Sequence, residues 1–538
     1  MKLVITVRIN DPSYEYDVRS LLRAFFSNVQ VKVLPEQKAL PGKPAESLPE
    51  ASNMMLTIWM TEASVSLEWL NGRSWKRSVE AAGLERKQRK NCLKCLLYDV
   101  LAEDTGRTLP WGTLTGIRPT KLVRRMLREG KSHSEITAYM KQTYRTSRQK
   151  TGLAYQVACR EQALIQTVVG HHTDTYSLYI GIPFCPSICL YCSFSSYPVA
   201  MYQDRVEDYL QALFREIDFA AEWFADRHLS TIYIGGGTPT ALSASQLERL
   251  LAKVRQSFDL SGLYEWTVEA GRPDSLTREK LKVIRAVTFP LPVSNDSRGN
   301  TNGQRGQTQH NGTIRISINP QTFQQRTLDV IGRRHTIEDV RNAFSMARET
   351  GIDCINMDLI VGLPGEGESE VADTLREVCA LRPDNLTVHS LALKRASRLR
   401  EEWERYGNDA FTQSGQIMER VHAAAEAMDM QPYYLYRQKD IAGNLENIGF
   451  APVGREGLYN ILIMEEVQDI VALGAGAISK QVGCMDIGQA AGKGTGQESR
   501  SGHKRPVRTI RAANVKDVDL YIRQVEEMME RKRRLFSK

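Results

Sequence analysis

The sequence predicts an α/β protein built round a partial, open barrel of six βα units, with an α+β region before it and a mainly helical region after it. Three observations predict this. Between residues 177 and 391, short apolar runs alternate six times with amphipathic helical patterns, the mark of parallel strands joined by helical crossovers. A closed eightfold barrel takes about 250 residues, so six units in a shorter segment leave one side open to a large substrate. Outside that segment the pattern changes, to a short αβ start followed by helices before residue 165 and to helices again after about residue 400. The expected division is therefore 1–165, 166–400 and 401–538, in a chain longer than one core usually organises.

The strands are expected at 177–183, 230–234, 264–269, 313–318, 354–360 and 385–391. Helices fill the gaps: 204–226, where apolar residues return every three or four positions, then 243–258 and 336–350, which open on Ser243 and Thr336 as capping hydroxyls. Right-handed crossovers bend such a sheet toward a barrel. The stretch 291–312 is rich in Ser, Asn, Gly and Gln without apolar periodicity and reads as a disordered insert. It joins a helix to the next strand, on the face of a barrel away from the chemistry, and has no expected catalytic role. The polar stretch 488–502 reads the same way.

Composition narrows the class. The chain is 42% hydrophobic and 25% charged, and lacks the run of about 18 apolar residues that a spanning helix needs. Its start, Met1 to Arg8, carries charge within its apolar stretch and no small-residue cleavage site, so the cytoplasm is expected and a membrane is not. Nine cysteines, three of them within eight residues, suit a reducing compartment and metal ligation better than disulfides. A net charge of +8 favours anionic partners, including nucleic acid and polycarboxylates. The basic runs at 86–90, 124–125 and 531–534 read first as solvated helix faces.

The chemistry sits in Cys185, Cys189 and Cys192, spaced Cys-x3-Cys-x2-Cys on the loop after the first strand. Three thiolates can hold three irons of a [4Fe–4S] cluster and leave the fourth open to a small chelator. S-adenosylmethionine (SAM) fills that role with its amino and carboxylate groups, and electron transfer from the cluster then cleaves its sulfonium to a 5′-deoxyadenosyl radical. A zinc site normally adds a fourth Cys or His at short range; none follows, and His171 and His172 lie upstream of the strand. Later strand ends supply what SAM needs. Gly235-Gly-Gly-Thr-Pro-Thr240 admits close backbone approach, Glu269 ends the third strand, Gln321 follows the fourth, Arg333 is expected on the helix after it, and Asp358 lies in the fifth. Carboxylates suit ribose hydroxyls and ammonium, and Arg suits a carboxylate.

Other features have blander readings. Cys92 and Cys95 fall near one face of a helical pattern and read as packed thiols more readily than as a second metal site. Cys159, Cys354, Cys379 and Cys484 read as core. Tyr433, Tyr434 and Tyr436, ahead of Arg437 and Lys439, form either a contact for a flat anionic ring or a core edge. The run Gly474-Ala-Gly-Ala-Ile-Ser-Lys480 is either a close-packing turn or a cofactor edge.

From about residue 175 to 480 the chain resembles the oxygen-independent coproporphyrinogen III oxidases and their relatives, which are radical SAM proteins. The blocks that carry the resemblance are Tyr179-Ile-Gly-Ile-Pro-Phe-Cys185, Cys189-Leu-Tyr-Cys192, Gly235-Gly-Gly-Thr-Pro-Thr240, Arg315-Ile-Ser-Ile-Asn-Pro-Gln321, Gly332-Arg-Arg-His335 and Asp358-Leu-Ile-Val-Gly-Leu-Pro364. The segment Leu109-Pro-Trp-Gly-Thr-Leu-Thr-Gly-Ile-Arg-Pro-Thr-Lys121 looks like the coproporphyrinogen dehydrogenase branch. The resemblance implies a radical SAM barrel in which Cys185, Cys189 and Cys192 hold the cluster. Around SAM it places Tyr179, Tyr191, Gly236, Gly237, Thr238, Glu269, Gln321, Arg333 and Asp358, with the Ala392 region also near. The implied reaction removes hydrogen from a propionate, releases carbon dioxide and leaves a vinyl group, twice, to give protoporphyrinogen IX in haem synthesis. Its implied partners are a porphyrinogen and an electron donor such as flavodoxin or ferredoxin. The chain has Phe194 where oxidases carry a fourth Cys, Gly181 where they carry His, and Ser193-Phe194 where haem-chaperone relatives carry Asp-Phe. A haem-binding chaperone and an RNA-modifying radical enzyme are the rival readings; no RNA-binding signature precedes the barrel, and nucleic acid is not expected as a partner.

Overall fold

The computed structural model describes residues 3–26, 29–35, 54–115, 118–170, 174–194, 196–292, 311–392, 394, 397–402, 415–438, 445–483 and 508–537. Most of the expected insert, the stretch 488–502, His171, His172, Lys439 and Cys484 lie outside them.

The chain opens with a five-stranded sheet, Leu3–Ile9, Val29–Pro35, Met54–Met60, Ser64–Leu70 and Ser74–Glu80, in the order second, first, third, fourth, fifth. The first strand pairs in parallel with both neighbours and the rest form an antiparallel meander. In Ser64–Leu70 every second residue is buried, the period of a sheet with one covered face. Helices Glu15–Phe25 and Arg86–Thr105 bury their apolar residues in the same core. Three further helices, Pro119–Arg128, His133–Tyr144 and Arg148–Val169, lead to the barrel. Buried ion pairs join them to the far end of the chain: Lys150 to Glu446, which also accepts from Trp111 Nε1 at 2.7 Å, and Arg124 to Glu465.

The six expected barrel strands are present as β1 (Thr175–Ile182), β2 (His228–Gly236), β3 (Glu265–Glu269), β4 (Arg315–Ser317), β5 (Ile355–Val361) and β6 (Asn385–Ser390). Each pairs in parallel with the next. Nearly every residue of β1 is buried, as a parallel strand covered on both faces requires. The capping hydroxyls act as the sequence predicts: Ser243 accepts from the Gln246 N–H ahead of helix Ala244–Ser257, and Thr336 from the Asp339 N–H ahead of Ile337–Glu349, each within a reciprocal capping box. Thr288–Pro290 and Asn311–Thr313 form a small antiparallel pair, so the last two residues of the expected insert, Asn311 and Gly312, are strand, fixed by pairing across it.

After residue 400 the chain returns to the same sheet. Helices outnumber strands in residues there, among those described, yet five strands are present: β7 (Gln431–Tyr436), β8 (Asn447–Ala451), β9 (Asp469–Leu473), β10 (Ile478–Gly483) and β11 (Arg508–Ala513). The order β7-β8-β6-β5-β4-β3-β2-β1-β9-β10-β11 is one continuous sheet of eleven strands. β9 adds a seventh parallel strand beside β1, so the boundary expected near residue 400 crosses a shared sheet. Gly474, with φ +93, makes a close-packing turn after β9, where a Cβ would lie 2.4 Å from the Gly181 carbonyl oxygen. Helix Leu458–Glu465 packs under the barrel, and Glu265 at the start of β3 accepts from the Leu458 N–H at 2.6 Å and the Tyr459 N–H at 3.3 Å. A carboxylate thus faces the positive end of that helix. Among the described residues no helix is long and apolar enough to cross a membrane.

Candidate active site

The cysteine loop leaves the carboxyl end of β1 and is held from three directions. Phe184–Cys185 pairs with Tyr197–Pro198, closing the loop on itself. The Thr238 N–H donates to the Phe184 carbonyl and the Gly237 N–H to that of Ile182, both at 2.7 Å, fastening the loop to the end of β2. Leu190 is buried with Leu328, Ile331, Ile360 and Leu363, and its N–H donates to the Ile331 carbonyl at 2.9 Å. The glycines are required here. A Cβ on Gly237 would lie 2.5 Å from the Phe184 carbonyl oxygen, and Gly236 has φ +100.

All three thiols are free and half-buried. Cys185 Sγ lies 3.6 Å from Thr238 Oγ1, Cys189 Sγ 3.9 Å from Arg272 Nη1, and Cys192 Sγ 3.9 Å from Ser196 Oγ. Burial pushes the Cys185 thiol up to about 11 and raises that of Cys192, so a bound cation is needed to hold them as thiolates near neutral pH. Among the described residues no group of three or more His, Cys, Asp or Glu side chains is gathered to hold a single metal ion.

Of the predicted SAM contacts, Glu269 ends β3, whereas Tyr179 lies within β1 and Asp358 at the middle of β5. Glu269 accepts from Tyr233 Oη and, at 3.1 Å, from Asn319 Nδ2. Burial and the facing Asp358 carboxylate push it up to about 7. Asp358 moves the other way: burial acts to raise it, but His389 at 3.8 Å and Asn356 Nδ2 at 2.7 Å hold it below the usual range. The two carboxylates line a cavity of about 110 Å³ within the barrel, shared with Tyr233, Arg315, His389 and Tyr434. Gln321 adopts φ +69, its N–H donating to the Asp358 carbonyl at 3.0 Å. Arg333 lies beyond the end of helix Gln325–Val330, after Gly332 with φ +75, not on the helix where the sequence placed it. From there Arg333 donates to Tyr191 Oη at 3.1 Å and to the Asn319 carbonyl at 2.7 Å. Tyr179, on β1, stacks on Tyr233 with ring centroids 6.2 Å apart.

These residues suit the implied groups. Asn319 Oδ1, Gln321 Oε1 and Arg333 Nε are buried polar atoms without a hydrogen-bond partner among the described residues, a rarity in a folded interior unless a ligand completes them. They stand among the glycine turn, the carboxylate pair and the three thiols. Sequence reasoning missed Arg272, Asn319, Tyr233 and His389. Asn319 stands inside a quoted block and Arg272 three residues past Glu269, a nearness to named residues that is the one signal that could have found them. Cys92 and Cys95 sit on helix Arg86–Thr105, where Cys95 Sγ donates to the Thr143 carbonyl at 3.2 Å, a packed thiol as read. Tyr433 is buried, while Tyr434 reaches the cavity.

Residues 179–378 match the radical SAM superfamily, whose members use a [4Fe–4S] cluster and SAM. The chain is 40% identical over 397 residues to the oxygen-independent coproporphyrinogen-III oxidase-like protein HemZ of Bacillus subtilis, covering 73% of this chain and 74% of that one. It is 31% identical over 305 residues to the heme chaperone HemW of the same organism, covering 56% and 70%. The solved coproporphyrinogen III oxidase HemN of Escherichia coli aligns over 68% of this chain and 73% of its own, at 24% identity and a TM-score of 0.46. On the family match and the extent and identity of the HemZ match, the chain belongs to the radical SAM superfamily and, within it, to the oxygen-independent coproporphyrinogen-III oxidase-like family.

Proposed function

We propose that the protein catalyses the oxygen-independent oxidative decarboxylation of two coproporphyrinogen III propionates to vinyl groups, giving protoporphyrinogen IX. The observation that carries this reading is the three-cysteine loop after β1, with Arg333 bonded to Tyr191 within it and Glu269 facing Asp358 across the barrel cavity, in a chain that matches an oxidase-like relative over most of its length. Cys185, Cys189 and Cys192 would hold the cluster, and Tyr179, Tyr191, Gly236, Gly237, Thr238, Glu269, Gln321, Arg333 and Asp358 would surround SAM. When bound, the pair supplies reductive cleavage of the sulfonium. The chain's own part is positional. The glycine turn lets backbone approach the ligand, Tyr191 and Asn319 hold Arg333 in place for a carboxylate, and Glu269 and Asp358 face hydroxyl and ammonium groups. A porphyrinogen with four carboxylates suits a chain of net charge +8, and a low-potential protein such as flavodoxin or ferredoxin would supply electrons in the cytoplasm.

Haem binding is the second reading, favoured by the HemW match and by Phe194 at the position of the oxidases' fourth cysteine. One assay separates the two. The protein, reconstituted anaerobically with iron and sulfide, is given SAM, reductant and coproporphyrinogen III while methionine and protoporphyrinogen IX are followed together. Coupled formation of both, lost in Cys189→Ala, is expected. SAM cleavage without porphyrin product, with haem retained on purification, would replace the oxidase by the haem-binding reading.

A further inference from the structure

Arg272 has no part in the reading above, yet its guanidinium reaches the cysteine loop at Ser187 and Cys189. It precedes Pro273 and takes the extended conformation that proline imposes on its predecessor, φ −124 and ψ 103. Its carbonyl accepts from the Ser275 N–H at 2.9 Å and the Ser275 hydroxyl at 2.7 Å, so its backbone is fixed. The side chain is 4% exposed. Nη1 donates to the Ser187 carbonyl at 3.0 Å and lies 3.9 Å from Cys189 Sγ, while Nη2 donates to Ser187 Oγ at 3.0 Å. Asp274 is its carboxylate partner, at 3.2 Å from Nε and 3.1 Å from Nη2.

A buried guanidinium that divides its donors between Asp274 and the cysteine loop, and lies against a cysteine sulfur there, is more than a staple. In a low dielectric, charge beside an iron–sulfur centre weighs heavily, and cluster potentials follow net charge and hydrogen bonds to the sulfurs. We propose that Arg272 is a positioning residue for the cluster, fixing the loop through Ser187 and holding positive charge at Cys189 so that the reduced state is favoured. This rests on the reading of Cys185, Cys189 and Cys192 as the cluster ligands. A cluster held by Cys189 would take one electron from the reductant with no bond broken, and Arg272, 3.9 Å from that sulfur, would favour the added negative charge.

The test is a redox titration of the reconstituted full chain, followed by electron paramagnetic resonance, with iron and sulfide content measured alongside. Arg272→Gln is expected to lower the reduced-to-oxidised ratio at fixed potential about tenfold, a midpoint about 59 mV more negative for one electron. Asp274→Asn, which removes the opposing charge and leaves the arginine, should move the midpoint in the positive direction. If Arg272→Gln takes up no iron, Asp274→Asn alone decides. A wild-type midpoint in fully loaded Asp274→Asn, or in fully loaded Arg272→Gln, overturns the proposal. Full iron in Cys189→Ala would instead overturn the ligand reading on which it rests.

Discussion

Glu216 is a buried carboxylate and Glu269 a half-buried one near the upper end of the barrel, and they are treated in opposite ways. Glu216, on helix Val206–Trp223, is completely provided for. One oxygen accepts from the Gly474 N–H at 2.7 Å and Tyr521 Oη at 2.6 Å, the other from Asn514 Nδ2 at 2.9 Å and Lys532 Nζ at 2.6 Å. Four donors, one of them a buried cation, come from the chain's last hundred residues, so this carboxylate ties the C-terminal helices to the barrel. Glu269 accepts from two neutral groups and faces a second carboxylate across a cavity. The Glu216 charge is compensated by a cation inside the chain, whereas Glu269 has only neutral donors and a second carboxylate around it.

The strongest way to break this contrast is Lys532→Met. It leaves the Glu216 charge buried beside neutral donors, and removing one partner of a buried pair costs about 3–5 kcal/mol. Chemical denaturation should show a large fall in the midpoint, and Glu216→Gln in the same chain, which removes the stranded charge and keeps an acceptor for the remaining donors, should restore part of it. If Lys532→Met melts like wild type, Glu216 is not the tie described. Cluster uptake per folded chain should not change, which separates this effect from any at the site.

Glu269→Gln is expected to do the reverse. Losing a charged hydrogen-bond partner costs about 1.5–3 kcal/mol, so SAM affinity measured by calorimetry on the loaded protein should fall about 10–100-fold. Stability of the unloaded chain at pH 8 should not fall, because the substitution removes a carboxylate that is costly to ionise there. The pH dependence follows from the raised value of about 7 against an unfolded value of 4.5. Between these values the folded state binds more protons, so wild-type stability declines as pH rises through about 7. The Glu269→Gln profile should be flatter over that window. Parallel profiles would mean that the Glu269 carboxyl titrates normally and that the contrast with Glu216 is overdrawn.

How far the sequence revealed all this depended on whether the signal was local. The six barrel strands and the caps at Ser243 and Thr336 were legible because apolar runs and capping hydroxyls act within a few residues. β9 was not, because it earns its place only by pairing with β1, almost three hundred residues earlier, and a short apolar run carries no mark of its partner. The same holds within the site. The cysteines, the glycine turn and Glu269 announce themselves by spacing and by their position at strand ends. Arg272 does not, since an arginine before a proline looks like any surface arginine until Ser187 and Cys189 are brought against it. Arg333 was found by motif but misplaced, because Gly332 ends the helix early through a left-handed turn that periodicity does not register.

The smallest expected effect sharpens the contrast at a single carbon atom. Gly236 has φ +100, a conformation that costs an L-residue about 1–2 kcal/mol, and a methyl there would also lie 3.0 Å from Tyr179 Oη and 3.6 Å from the Gly181 Cα. Gly236→Ala should therefore lower the denaturation midpoint modestly through backbone strain, with a further loss wherever Tyr179 cannot move aside. Tyr179→Phe removes the crowded oxygen and leaves the strain. If Gly236→Ala is no more costly in the Tyr179→Phe background than backbone strain alone requires, while its SAM affinity stays low, then the turn is kept open for a ligand's approach. If instead the double variant regains wild-type affinity, the glycine serves only to clear Tyr179, and backbone contact with the ligand at this turn is not needed.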